Sequence, residues 1–359
     1  MSAARPPEGA RPLRLRRGEE ESAQRTDPGG GYPVSARRVL VTGADGFIGR
    51  GLVARLAREP GVEAIVATDV RDVPAERRLA GVTYLVQDVR EPTLPLTLAA
   101  HRIDAVVHLA SIVTPDPRMG RELAYAVDVL GTRNVLDACV TARVGHIVVS
   151  SSGAAYGYHA DNPAWLRETD ALRGNEAFAY AHHKRLVEEM LADYRVSAPQ
   201  LAQTVLRIGT ILGERVDNQI TALFEKPRLL AVRGSDSPFV FAWDEDVIGA
   251  VLHALGTGRA GCYNVAGDGA LTLPQIAARL GKPLLPLPAG LLRAALAVGK
   301  LLHATRYGPE QLDFLRYRPV LLNTALKQDF GYVPAKTSAE AFDAFVAARA
   351  AQGRPVSAR

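Results

Sequence analysis

Tyr180 and Lys184 stand four residues apart in the stretch FAYAHHKRLVEE, residues 178–189. On a helix, side chains at this spacing share one face. A tyrosine phenol has a pKa of about 10 and is a poor base at neutral pH. A neighbouring ammonium favours the phenolate and lowers that value. The pair therefore has the composition of a proton shuttle for a substrate hydroxyl. The same spacing occurs on ordinary surface helices, so the rest of the chain must decide.

A second stretch, VTGADGFIG (41–49), places Gly43, Gly46 and Gly49 between an apolar run and a helical pattern. In such a turn the first glycine permits a tight bend, the second lets the backbone approach a pyrophosphate, and the third lets the helix pack on the strand. The helix N-terminus then offers unpaired N–H groups and a positive dipole end to the phosphates. Asp45, Phe47 and Ile48 complete the loop beside them. An acid, Asp69, closes the next apolar run. It would accept hydrogen bonds from ribose hydroxyls and repel a 2′-phosphate, which favours NAD over NADP. Arg71, two residues on, could swing toward a 2′-phosphate, and so keeps NADP as the alternative.

These residues need a frame, and the frame is periodic. RRVLVTG, VEAIVATD (62–69), VTYLVQD (82–88), DAVVHLAS (104–111) and HIVVSSS (146–152) are short apolar runs, most of them separated by helical stretches. Continuous apolar runs of this length read as strands buried on both faces. Alternation with helices predicts an α/β fold with a doubly wound parallel sheet of Rossmann type. Beyond about residue 208 the alternation loosens, which predicts a smaller C-terminal substrate lobe. The expected organisation is a disordered tail over 1–37, an NAD-binding domain carrying the catalytic residues over 38–207, an interleaved substrate-binding lobe over 208–345, and a flexible C-terminus over 346–359.

Composition narrows the classes. The chain has 359 residues, 47% of them hydrophobic, ample for a large core. Two cysteines, Cys139 and Cys262, exclude a disulfide framework and fit a reducing, cytoplasmic setting. No metal site is expected, since His182 and His183 are adjacent and face different sides of a helix. Residues 1–38 hold eight arginines against five carboxylates, a net +3 of the chain's formal +5. Acids interrupt the basic residues there, so no nucleic-acid partner is expected. The tail has no apolar core of a secretory signal. The apolar segment 284–303 carries Arg293 and Lys300 on one face, which reads as a packed or lid helix, with docking on a membrane surface as the alternative, and not as a stable membrane insertion.

The Gly-x-x-Gly-x-x-Gly spacing together with Tyr180-x-x-x-Lys184 resembles the extended branch of the short-chain dehydrogenase/reductase superfamily, the NAD-dependent epimerase/dehydratase family. Matching pieces run in order from residue 39 to about 334. The resemblance implies that Asp88 and Val89 contact the adenine, and that Leu109, Ala110 and Ser111 lie beside the ribose and nicotinamide. It implies Ser152 as the residue that bonds the substrate oxygen, Tyr180 as acid/base, and Lys184 as the group that tunes the phenol and holds the nicotinamide ribose. It also implies a homodimer through helices spanning about 120–143 and 175–195.

Three departures matter. Asp128 stands where the family's helix usually has Asn before its Gly-Thr pair, here Gly131 and Thr132. Gly153 and Ala154 stand where dehydratases carry an Asp-Glu pair, which argues against dehydration. Phe239, Phe241 and Trp243 line a segment where nucleotide-sugar members often have an arginine, which leans toward a lipophilic substrate, with Arg207 or Arg233 as possible substitutes; Asp246 follows at the start of a helix. The expected activity is hydride transfer at a carbinol or ketone carbon of a small molecule, of the sugar-nucleotide 4-epimerase kind. Net dehydrogenation of a lipophilic, hydroxysteroid-like alcohol is the alternative, and a non-catalytic NAD-binding sensor a lesser one.

Overall fold

The structure, a computed structural model, describes residues 38–113, 120–301, 308, 311–354 and 356. The expected tail 1–37 lies outside the described residues. From the N-terminal side the chain forms β1 (Arg38–Thr42), α1 (Phe47–Leu56), β2 (Ala64–Asp69), β3 (Val82–Val86), α2 (Leu94–Ala100) and β4 (Ala105–His108). There follow α3 (Gly120–Tyr125), a π-helical turn (Ala126–Leu130), α4 (Gly131–Thr141), β5 (His146–Ser152), α5 (Ala179–Ser197) and β6 (Ala202–Ile208). The remaining strands are β7 (Thr210–Leu212), β8 (Leu229–Val232), β9 (Phe241–Trp243), β10 (Gly261–Val265) and β11 (Leu284–Leu287). The remaining helices are α6 (Gln219–Phe224), α7 (Asp244–Thr257), α8 (Leu273–Leu280), α9 (Ala289–Leu301), α10 (Gln311–Arg316) and α11 (Ser338–Ala351).

Seven strands form one sheet in the order β10-β6-β5-β4-β1-β2-β3, all pairs parallel. β1 lies between β2 and β4, with Thr42 opposite Thr68 on one side and His108 on the other. The strand order reverses there, and in open α/β sheets ligands bind outside the strand C-termini at such a switch point. The doubly wound sheet read from the sequence is therefore present, and its switch point coincides with the glycine turn.

The two faces of β1 explain why it reads as an unbroken apolar run. Val39 and Val41 enter one buried cluster with Leu52, Val53 and Val251. Leu40 enters another with Val106, Leu136 and Leu191. Successive side chains on a strand point to opposite faces, so burial on both leaves no polar positions.

The C-terminal lobe has its own core, and here two expectations change. Phe239, Phe241 and Trp243 do not line a cavity. They are buried with Phe224, Phe342 and Phe345, with Phe239 stacked on Phe241 at 5.6 Å. The C-terminal segment expected to be flexible from residue 346 instead continues α11 to Ala351, with Arg349 and Val356 buried. Arg349 donates to the Val216 carbonyl at 2.7 Å, which fastens the helix end to the lobe. The apolar segment 284–303 forms β11 and α9; Leu292 is buried, while Leu291 and Val298 are 57% and 54% exposed. Among the described residues no helix is long and apolar enough to cross a membrane.

Candidate active site

The glycine turn is built as the sequence suggests. Gly43 has a φ of +67°, and a Cβ there would fall 2.7 Å from the Ala110 amide nitrogen. A Cβ on Gly49 would fall 2.3 Å from the Gly43 carbonyl oxygen, so α1 could not approach β1 with any larger residue. Gly46 is the N-cap of α1 and no side chain caps that helix. Its first N–H groups are left for an anion. Phe47 packs against the lobe core and Ile48 against the sheet core, which anchors the helix start.

Asp69 is buried at the end of β2. Its Oδ2 accepts from the Asp45 amide at 3.0 Å, and its Oδ1 from the Arg71 amide and Nε at 3.1 and 3.2 Å. Arg71 is thus tied back to the acid, and also reaches the Asp45 carbonyl. Asp45 itself is buried and paired with Arg77 at 2.7 Å; it braces Asp69 through its backbone. Asp69→Ala should therefore free Arg71 as well as remove a negative charge. The preference for NAD over NADP should narrow by about tenfold, which is about 1.4 kcal/mol. Titration of both dinucleotides checks this, and wild-type protein that binds NADP equally well would refute the role given to Asp69.

The neighbouring turns converge on the same edge. Leu109 and Ala110 donate backbone N–H bonds to Thr42, to its carbonyl and its hydroxyl respectively. Ser111 donates from Oγ to Asp128 at 3.1 Å. His108 is buried between the hydroxyls of Thr42 (2.7 Å) and Thr132 (3.0 Å). Burial pulls its imidazole down to about 3, so it is neutral at physiological pH. In the turn after β3, Val89 is buried against Gly131. There the Arg90 guanidinium holds the Asp88 carboxyl below the usual carboxylate range.

Tyr180 and Lys184 occupy the first two turns of α5, with the ammonium 5.6 Å from the centre of the phenol ring. Lys184 is buried and donates to the Ser150 carbonyl at 2.8 Å. Ser152 closes β5, and its Oγ accepts from the Ala154 amide at 3.1 Å. That bond fixes the oxygen and does not use the hydroxyl proton. Behind this surface lies a buried network. Arg207 donates to both oxygens of Glu188 at 2.7–3.0 Å and to the Tyr156 hydroxyl at 2.8 Å. Arg207 is consumed there and is not a substrate-facing cation, while Arg233 is exposed on the lobe. Asp246 accepts from the Ala335 and Lys336 amides and the Tyr332 hydroxyl, and so joins α7 to the closing segment.

Arg318 was not singled out by its sequence. Its guanidinium lies 3.9 Å from the Phe239 ring centre and 5.5 Å from that of Phe314. Tyr158 meets Phe314 and Phe178 edge-on at 5.2 and 5.1 Å and interacts electrostatically with both Tyr180 and Arg318. Arg318 donates to Ser237, but among the described residues no carboxylate pairs with it, and its Nε is buried without a partner. Burial holds this guanidinium below the usual arginine range. Only the tertiary fold brings it near α5, and no local motif marks it.

A sequence model described as the NAD dependent epimerase/dehydratase family matches residues 39–266. An uncharacterised protein of Mycobacterium tuberculosis is 28% identical over 322 residues, covering 89% of this chain and 85% of its own. UDP-glucose 4-epimerase of Yersinia pestis is 31% identical over 184 residues, covering 49% of this chain and 53% of its own. The structure of UDP-glucose 4-epimerase with UDP-glucose from Thermotoga maritima superposes with a TM-score of 0.67 at 19% identity, covering 88% of this chain and 99% of that one.

Proposed function

The chain belongs to the NAD dependent epimerase/dehydratase family, and on that premise we propose that it acts on a sugar nucleotide, in the manner of a 4-epimerase, with Tyr180 as acid/base. The glycine turn, the uncapped start of α1 and Asp69 fit NAD, which when bound supplies the hydride acceptor and donor. Ser152 donates its hydroxyl proton to the substrate oxygen and orients it. Tyr180 takes the proton of that carbinol as hydride departs, and returns it when the ketone is reduced. With NAD held by the glycine turn and Asp69, return of the hydride to the opposite face of the ketone would give the epimer. Lys184, anchored on Ser150, supplies the positive charge that supports the phenolate.

The observation that carries the sugar-nucleotide reading is Arg318. A half-buried guanidinium with no carboxylate partner among the described residues is costly unless an anion completes it, and a diphosphate beside the aromatic wall would do so. Dehydration is disfavoured by the packing. Gly153 faces Leu321, whose side-chain carbons lie 3.2–3.4 Å from where a Cβ would sit, so a carboxylate side chain there would require Leu321 to give way. A lipophilic alcohol is the second reading, favoured by the ring wall of Tyr158, Phe178 and Phe314.

NAD reduction and product analysis over a panel of UDP- and dTDP-sugars and sterol alcohols test the choice. On a sugar nucleotide, Arg318→Met should raise KM by about 10- to 100-fold with little change in kcat, the scale of one hydrogen bond to a charged group. An unchanged KM, or turnover of sterols alone, would overturn the diphosphate reading.

A further inference from the structure

The family's usual asparagine is Asp128 here, and its surroundings show what the exchange accompanies. Asp128 lies in the π-helical turn between α3 and α4 and is 3% exposed. Such turns insert one residue into a helix and recur at functional sites. Its Oδ1 accepts from the Ile112 amide at 2.8 Å and the Ser111 hydroxyl at 3.1 Å. Its Oδ2 faces Nδ1 of His183 at 3.0 Å. His183 is 2% exposed on α5, between Tyr180 and Lys184 in sequence. Its ring meets Tyr125 edge-on at 5.6 Å. A carboxylate only accepts, so the imidazole proton facing it must sit on Nδ1.

One buried side chain thus joins three pieces: the turn after β4, the helix 120–141 and the catalytic helix. We propose that Asp128 and His183 are a positioning pair that sets α5, and with it Tyr180, against the 109–112 turn, each working through the other. The inference rests on Tyr180 being the acid/base. An asparagine at 128 that kept its oxygen on the Ile112 amide would turn its N–H₂ toward the ring and pair with an unprotonated Nδ1, whereas the carboxylate pairs with Nδ1–H. Small displacements matter at this place, because a shift of about 1 Å in reacting groups can cost about 100-fold in rate.

The test uses the full chain and the best substrate of the panel above. His183→Leu should lower kcat by about 10- to 100-fold with the NAD Kd within about threefold. His183→Asn, whose amide N–H reaches toward the Nδ1 position, should recover most of that loss. In an Asp128→Ala background, His183→Leu should cost less than about twofold more, because residues that act through one contact are non-additive. With ¹⁵N-labelled histidine, a slowly exchanging Nδ1–H signal assigned to His183 should be present in the wild type and lost in Asp128→Ala.

If His183→Leu does not fold, Asp128→Asn carries the kinetic arm, with a fall in kcat expected. An additive cycle, a His183→Asn variant as slow as His183→Leu, or a wild-type ring protonated only on Nε2 would each overturn the pair. Tyr180→Phe separates the two ideas. Normal turnover in that variant removes the acid/base reading, whereas a dead Tyr180→Phe beside a fully active His183→Leu removes the positioning pair alone.

Discussion

Tyr180→Phe is expected to lower turnover on the best substrate by about 100-fold or more, since general acid–base catalysis contributes about 10²–10⁴. The change removes one oxygen from a group whose hydroxyl makes no hydrogen bond to the protein among the described residues, so packing should survive. Lys184 should keep its place, because its ammonium is held by the Ser150 carbonyl at 2.8 Å and not by the phenol. NAD affinity and thermal stability should therefore stay near wild type while the chemical step fails. Single-turnover measurement of NAD reduction, with NAD binding measured in parallel, checks both halves. Near-normal turnover would mean that the four-residue spacing to Lys184 is a helix-surface coincidence, and the acid/base would have to be sought elsewhere.

The features legible in the sequence share a physical trait: their determinants are local. Val39, Leu40 and Val41 announce a strand buried on both faces because each residue alone records its burial. Gly43, Gly46 and Gly49 announce a turn because backbone geometry demands their lack of a Cβ. Tyr180 and Lys184 are one helical turn apart, so sequence distance and spatial distance agree. Where the two separate, reading fails. Phe239, Phe241 and Trp243 looked like a lining because an aromatic in a core and one in a cleft are identical in sequence; only Phe224, Phe342 and Phe345, from two other helices, distinguish them. Arg207 looked available until Glu188 closed on it. Arg318 lies 138 residues from Tyr180, and nothing short of the folded lobe connects them. Asp128 was visible as a departure, but its compensation, His183, lies 55 residues away on another helix.

The second large effect concerns that closed pair. Glu188→Ala should destabilise the protein by about 3–5 kcal/mol, because removing one partner leaves the other charge buried without compensation. Arg207 has its Nε and one terminal nitrogen on Glu188 and the other on Tyr156 and the Glu168 carbonyl. Both side chains of the pair are almost fully buried, so solvent cannot replace the lost carboxylate. Ser151 also donates to Glu188, and loses its acceptor in the same variant. In a chain of this size the fall in melting temperature should be roughly 4–7 °C. The double variant Glu188→Met with Arg207→Met discriminates the cause. If the cost is that of an orphaned charge, the double variant should be more stable than Glu188→Ala despite losing more hydrogen bonds, since apolar replacement of a whole buried pair is often close to neutral. Denaturant melts of the three proteins measure it. A Glu188→Ala variant within about 1 kcal/mol of wild type would show that the cation finds water or another acceptor. The network beneath Ser152 and Lys184 would then be a tolerant one, not the rigid floor that its geometry indicates.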